Sequence, residues 1–341
     1  MSATFDKRPL QSNTQAKGNF FHKIKDAFKL IKPENNKESL NTKPSPLAVS
    51  SKLAAEPRPR KRALLIAVTY KGTKYELKGT INDVTLMKAW LIDTFGFKPE
   101  NLLILTVVFK EYEADKELKP TKENIQNGMK WLMDDCHAGD SLVFFFSGHG
   151  LRQPDFEGDE RDGFDETICP VDYIEKGMIF DNEIYNTIVR PLPKGVTLHG
   201  IVDACHSGTV LDLSYVYNRD TNTWIDNSPP SGAKKDTSGG LAITITACRD
   251  DQMAADTDAF SKADMKMSGA LTHTLTSHVN KGQEITYREL LDRIYRSIEE
   301  ADQQGCFATR FFRTLFHDRL LQKPQLSASK PFDVYQKKFV L

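Results

Sequence analysis

One cysteine and one histidine in this chain are placed to do nucleophilic chemistry together. Cys205 lies in Asp203-Ala204-Cys205-His206-Ser207-Gly208, after the short, largely apolar stretch Leu198 to Val202. His149 lies in Ser147-Gly148-His149-Gly150, after Leu142 to Phe146 and 56 positions before Cys205. Both motifs read as strand ends, and a parallel α/β sheet gathers its chemistry at the carboxyl ends of its strands. A thiol attacks a carbonyl as thiolate; a nearby imidazole favours that form and later protonates the leaving amine. Either residue alone reads more simply as a core thiol or a hydrogen-bonded imidazole. Together, each in a Gly-containing turn after an apolar strand, they form the minimum machinery of a cysteine peptidase. Competing readings fail on spacing. Ser207 is not in a Gly-x-Ser-x-Gly elbow, and neither a phosphate loop nor a His-x-x-x-His pair is present. His206 points away from its neighbour on an extended segment, and Cys248 reads as a strand-end thiol.

The elements that must position this pair follow from periodicity. Ala63 to Thr69, Leu102 to Val107, Leu142 to Phe146, Leu198 to Val202 and Leu241 to Ala247 read as strands. Thr80 to Phe95, Thr121 to Cys136, a stretch from Asp181, Ala263 to Asn280 and Thr286 to Glu300 read as helices between and after them. Thr80 or Asn82 is expected to cap the first helix and Thr121 the second. Such alternation predicts a mainly parallel sheet with helices on both faces. The expected organisation is a leader over 1–61, a large portion over 62–213, an exposed loop over 214–240 and a small portion over 241–341, whose tail from Lys330 adds an edge strand. The leader is rich in Lys, Asn, Ser and Pro and reads as mobile. Within it Phe20, Phe21, Ile24, Phe28 and Ile31 at helical spacing, with lysines between them, suggest a short basic amphipathic helix.

Composition removes several classes. The 341 residues carry 46 basic and 46 acidic side chains, so no net charge supports nucleic-acid binding. Five dispersed cysteines, Cys136, Cys169, Cys205, Cys248 and Cys306, fit neither a disulfide framework nor a zinc ribbon and point to a reducing compartment. Neither a signal peptide nor a transmembrane run is expected. The chain is read as soluble and cytoplasmic, with the nucleus open to it.

Asp-Ala-Cys-His-Ser-Gly with Ser-Gly-His-Gly resembles the caspase-like cysteine peptidases, and within them the type I metacaspases, over roughly residues 62 to 341. The tail Phe332-Asp333-Val334-Tyr335 resembles the plant members, here lacking the zinc finger that often leads them. The resemblance implies a caspase-like α/β/α sandwich with a mainly parallel central sheet. It also implies Cys205 as nucleophile, His149 as general base and acid, and the backbone N–H groups of Gly150 and Cys205 as the oxyanion hole. Where caspases have Gln before Ala-Cys, this chain has Asp203. A carboxylate there attracts a basic substrate side chain and repels an acidic one. Carrying the family's pocket over gives Asp83, Ser147 and Asp203, with Thr80 where a Cys is usual. Cleavage after Arg or Lys in protein substrates is the consequence, by a chain expected to act as a monomer.

The stretch Asp155 to Glu166 packs seven acidic residues into twelve without EF-hand spacing, which reads as a solvated loop or a cation site. The resemblance implies calcium at Asp165, Asp181, Asn182 and Asp212, where Asn182 replaces the usual Asp and offers one charge fewer. An enzyme of this specificity could cut its own loop at Arg219, Lys234 or Lys235. The alternative is a catalytically weak or inactive caspase-like interaction protein acting through its N-terminal leader.

Overall fold

The computed structural model describes residues 60–106, 118–156, 158, 160–161, 163–204, 207–232, 234–247, 256–257, 268–303 and 324–341. The leader with its amphipathic segment, Cys205, His206, Cys248 and Cys306 lie outside them.

The core strands are β1 (Lys61–Ala67), β2 (Leu102–Leu105), β3 (Ser141–Ser147), β7 (Thr197–Asp203) and β10 (Leu241–Thr246). They run parallel in the order β2-β1-β3-β7-β10. Then β13 (Gln325–Ala328), β8 (Tyr215–Asn218) and β9 (Thr223–Asp226) extend the same sheet antiparallel. A second sheet joins β4 (Gly150–Pro154), β5 (Phe164–Ile168) and β6 (Ile179–Phe180), and a two-stranded ribbon joins β11 (Asp256–Thr257) and β12 (Ser268–Gly269).

The inner strands are buried on both faces, so they read as unbroken apolar runs rather than alternating ones. Ala63, Leu65, Val143, Phe145 and Ile201 share a core cluster with α1 (Thr80–Asp93), α3 (Ala270–His278) and α4 (Tyr287–Gln303), through residues such as Met87, Leu91, Leu271 and Leu290. On the opposite face α2 (Lys122–Leu132) presses its backbone on the sheet at Gly128, where a Cβ would stand 2.8 Å from Leu64 Cδ1. Helices on both faces of a mainly parallel sheet are the sandwich expected from the sequence. No helix among the described residues is long and apolar enough to cross a membrane.

Four details differ from expectation. Thr121 caps α2, accepting from Asn124 N–H at 3.3 Å, but α1 starts from Gly79 without a side-chain cap, because Thr80 and Asn82 already lie inside the helix. The stretch 214–240 is not one exposed loop: β8 and β9 form a hairpin on the main sheet, anchored by Tyr217 and by Trp224 Nε1–H to Phe332 O at 2.8 Å. The edge strand near the C-terminus is β13, and the tail beyond Lys330 turns at Asp333 to bury Val334, Phe339 and Leu341. Its ladder pairing is one bridge, Thr286 with Lys338. The expected helix over 263–280 begins at Ala270, since Ser268 and Gly269 are strand; 263–267 lie outside the described residues.

Candidate active site

Strands β3 and β7 pair in parallel register up to Ser147 and Asp203, and the Gly148 N–H approaches Asp203 O at 3.4 Å. The His149 turn and the Ala204 turn therefore leave neighbouring strands at one edge. Ser207 Oγ closes the second turn by donating to Ala204 O at 2.8 Å. Cys205 lies between those two described residues.

His149 is held on three sides. Its ring lies 4.6 Å, centroid to centroid, from Tyr70. Its backbone N–H donates to the Tyr70 hydroxyl at 2.9 Å, and that hydroxyl donates to Cys169 O at 2.7 Å. Its Nε2 lies 2.8 Å from Tyr75 O. A carbonyl oxygen only accepts, so this contact puts the ring proton on Nε2 and leaves Nδ1 as the lone-pair nitrogen able to take a proton. Gly148 allows the close turn: a Cβ there would lie 2.7 Å from Phe146 Cζ.

Asp83, Ser147 and Asp203 converge although they come from α1, β3 and β7. All three are buried. Ser147 Oγ donates to Asp83 Oδ2 and the Gly269 N–H to Asp83 Oδ1, each at 2.8 Å. Thr272 supplies its N–H at 2.9 Å and its hydroxyl at 2.8 Å to Asp203 Oδ2. Gly269 is the meeting point, because a Cβ on it would lie 2.2 Å from Asp203 Oδ2. Two buried carboxylates around one glycine make a strongly anionic spot beside the strand edge that carries His149. The first-turn carboxylate of α1 thus serves this cluster rather than the helix end.

The second acidic group is at the far end of the β4–β5–β6 sheet. Carboxylate oxygens of Glu160, Asp165 and Asp181 lie within 4.8 Å of one another. Asp181 accepts from Glu166 N–H and Asn182 N–H, each at 2.7 Å. Burial, then the charges of Asp212 and Glu160, push its carboxyl up to about 9. Asp212 joins through Lys235, whose ammonium lies 2.6 Å from Asp212 Oδ2 and 2.8 Å from Glu160 Oε1. Burial opposes the charge on Lys235, but the charge of Asp212 and the bonds to both carboxylates outweigh it and raise its pKa. A close set of hard oxygen donors suits a calcium-like cation bound at about 2.3–2.6 Å.

The structure thus brings together two groups anticipated from sequence, one containing Asp83, Ser147 and Asp203, the other Asp165, Asp181 and Asp212. Asn182 meets the second through its backbone N–H. Gly150 opens β4, pairing with Ile168. Sequence reasoning included Glu160 in the acidic stretch but not among the named calcium positions, and it gave no roles to Tyr70, Tyr75, Gly269 and Thr272. Of the three cleavage candidates, Lys234 is exposed. Lys235 is buried, and Arg219 is tied to Asp292 at 2.9 Å and packed over the Tyr295 ring.

Residues 61–214 match the family model described as metacaspase, peptidase C14 domain. The chain is 45% identical over 298 residues to metacaspase-1 of Arabidopsis thaliana, covering 84% of this chain and 80% of that protein. It is 43% identical to metacaspase-2 of the same plant, over 83% and 73% of the two chains. Metacaspase-1 of the yeast Meyerozyma guilliermondii is 34% identical over 81% and 71%. A crystal structure of a Geobacter sulfurreducens protein shares the fold with a TM-score of 0.50 at 21% identity, over 82% of this chain and 98% of that one. With its sandwich and its matched relatives, the chain belongs to the metacaspases, a family of cysteine peptidases.

Proposed function

We propose that this protein is a calcium-stimulated cysteine endopeptidase that cleaves proteins after Arg or Lys, acts as a monomer and processes itself. Cys205 is the nucleophile of this reading and His149 its base and acid. Nδ1 of His149 takes the thiol proton, and the thiolate adds to the scissile carbonyl. The N–H groups of Gly150 and Cys205 face the resulting oxyanion. The imidazolium returns its proton to the leaving amine, and water then hydrolyses the thioester.

The observation that carries the specificity is the pair of buried carboxylates, Asp83 and Asp203, around Gly269. They favour a guanidinium or ammonium and reject an acidic side chain. Calcium, held by Asp165, Asp181, Asp212 and Glu160, would supply the positive charge this group of carboxylates needs. Among the self-processing candidates, exposure favours Lys234. The test compares peptides ending in Arg, Lys and Asp before the scissile bond, with and without calcium, and with Cys205→Ala as blank. Arg and Lys cleavage dependent on calcium is expected. Preference for Asp, or cleavage unchanged in Cys205→Ala, overturns the reading.

A further inference from the structure

We propose that Lys235 is a tethered counter-ion that occupies the acidic cluster in place of calcium, so that calcium binding expels it and releases the segment around it. The inference rests on the calcium reading above and adds what that ion must displace.

Lys235 belongs to the connection between the large and small portions, where an exposed and cleavable residue was expected. Its side chain is only 8% exposed and reaches back to Asp212 and Glu160. Glu160 is also one of the three carboxylates that lie within 4.8 Å of one another. The ammonium therefore engages oxygens from the same set a metal would use. Calcium needs six to eight oxygens around it, so it draws on those carboxylates and repels a neighbouring ammonium. One cluster cannot serve both cations.

The backbone around Lys235 is fastened in keeping with this role. Its carbonyl accepts from Ser214 Oγ at 2.9 Å, and the next carbonyl, of Asp236, accepts from Tyr185 Oη at 2.9 Å. With the ammonium in the cluster, three successive points, one side chain and two carbonyls, hold the strap. A lysine held this way cannot present its side chain to a peptidase pocket. Its neighbour Lys234 is exposed. Exchange of ammonium for calcium removes the innermost of the three points and turns a buried lysine into an accessible one.

The test uses full-length Cys205→Ala protein, which cannot cut itself, and reads lysine acylation by an amine-reactive reagent with mass spectrometry. Without calcium, Lys235 should react at least about tenfold more slowly than Lys234, since only locally opened molecules expose it. Calcium should bring the two rates within about twofold of each other, and magnesium, which prefers fewer protein ligands, should not. Lys235→Gln in the same background should bind calcium about tenfold more tightly by calorimetry, because no tethered cation competes. Calcium that binds without changing Lys235 acylation sinks the inference and leaves the calcium reading intact. Failure of calcium to bind either protein removes the calcium reading and the inference together. The acylation arm needs no substitution at Lys235, so misfolding of Lys235→Gln would not protect the idea.

Discussion

On the proposed reading, Gly269→Ala tests the Asp83–Asp203 pocket without touching Cys205 or His149. The backbone of Gly269 has φ −65° and ψ 143°, an extended conformation that alanine adopts without strain, so the added methyl acts by its volume alone. That methyl would stand 2.5 Å from Asp203 Cγ and 2.2 Å from its Oδ2. Ordinary carbon contacts begin at about 3.5 Å, so the carboxylate must withdraw by roughly 1 Å. Thr272 holds that oxygen at 2.9 and 2.8 Å, and a shift of this size takes both bonds past useful length. Hydrogen bonds to a charged group contribute about 1.5–3 kcal/mol each. The same withdrawal takes Asp203 away from the substrate guanidinium, and loss of that one charged bond in the transition state, about 2.7 kcal/mol, lowers kcat/KM for an Arg substrate roughly 100-fold. The assay compares Arg with its uncharged isostere citrulline, alongside thermal unfolding. General loosening slows both substrates alike, whereas a displaced Asp203 collapses the Arg preference. Arg cleavage within about threefold of wild type, in a folded variant, would refute the placement of Asp203 in the pocket.

Other substitutions separate charge, scaffold and pH. Asp203→Asn keeps an acceptor for Thr272 but removes the charge; leaving a buried substrate cation without its partner costs about 2–5 kcal/mol, so Arg kcat/KM should fall roughly 30- to 5,000-fold while citrulline is little affected. Tyr70→Phe removes the hydroxyl that links His149 N–H to Cys169 O, and about tenfold lower kcat with similar KM is expected, together with about 1–2 kcal/mol less stability in urea unfolding. His199, fully buried with Nε2 at 2.6 Å from the Tyr287 hydroxyl, has its pKa lowered from 6.5 to about 3 by burial and then by the charge of Lys337. The unfolded chain therefore binds a proton that the folded chain refuses between those values. Stability from this group is complete above pH 6.5 and is lost as pH falls below it, by about 2 kcal/mol from pH 7 to pH 5. A His199→Gln variant should lack that part of the slope, and equal slopes in the two proteins would contradict it.

The parallel sheet was legible because its strands are apolar runs closed by Gly-rich turns, and the turns carry the chemistry. The β8–β9 hairpin was hidden by its flanks. Tyr215-Val216-Tyr217 and Thr223-Trp224-Ile225 have strand-forming residues around a turn at Asn222, whose φ is +53°, but Asn, Asp, Ser and Pro on either side read as loop. β13 escaped because Gln325-Leu326-Ser327-Ala328 is short and half polar, and its burial comes from neighbours distant in sequence. Within the site, convergence of Asp83, Ser147 and Asp203 was available only through family resemblance. Gly269 and Thr272 gave no local signal, because their roles consist of a missing Cβ, two backbone N–H groups and one hydroxyl facing carboxylates from α1 and β7. Lys235 shows the reverse error: composition placed a charged side chain in solvent, and the carboxylates of Asp212 and Glu160 drew it inside.

The acidic cluster and the His149 turn share one short strand. Asp165 near the start of β5 pairs with Gln153, Ile168 at its end pairs with Gly150, and the next residue, Cys169, donates its N–H to His149 O at 3.0 Å. Asp181 follows directly on β6, which pairs with the same strand, and it accepts the Glu166 N–H. Ladder hydrogen bonds fix these positions relative to one another, so the cluster and His149 rest on a common frame. On the proposed reading, the cluster has two cation partners, the Lys235 ammonium and calcium. A ligand shifts such an equilibrium only by its difference in affinity for the two states. Calcium that bound equally well with Lys235 in or out would therefore switch nothing, however tight the binding. The strength of the switch is set by how completely the ammonium and the metal exclude each other. On that reading the shared carboxylate is Glu160, which holds the Lys235 ammonium at 2.8 Å and also lies within 4.8 Å of Asp165 and Asp181, so competition with Lys235 would set the calcium response together with the charge of the cluster.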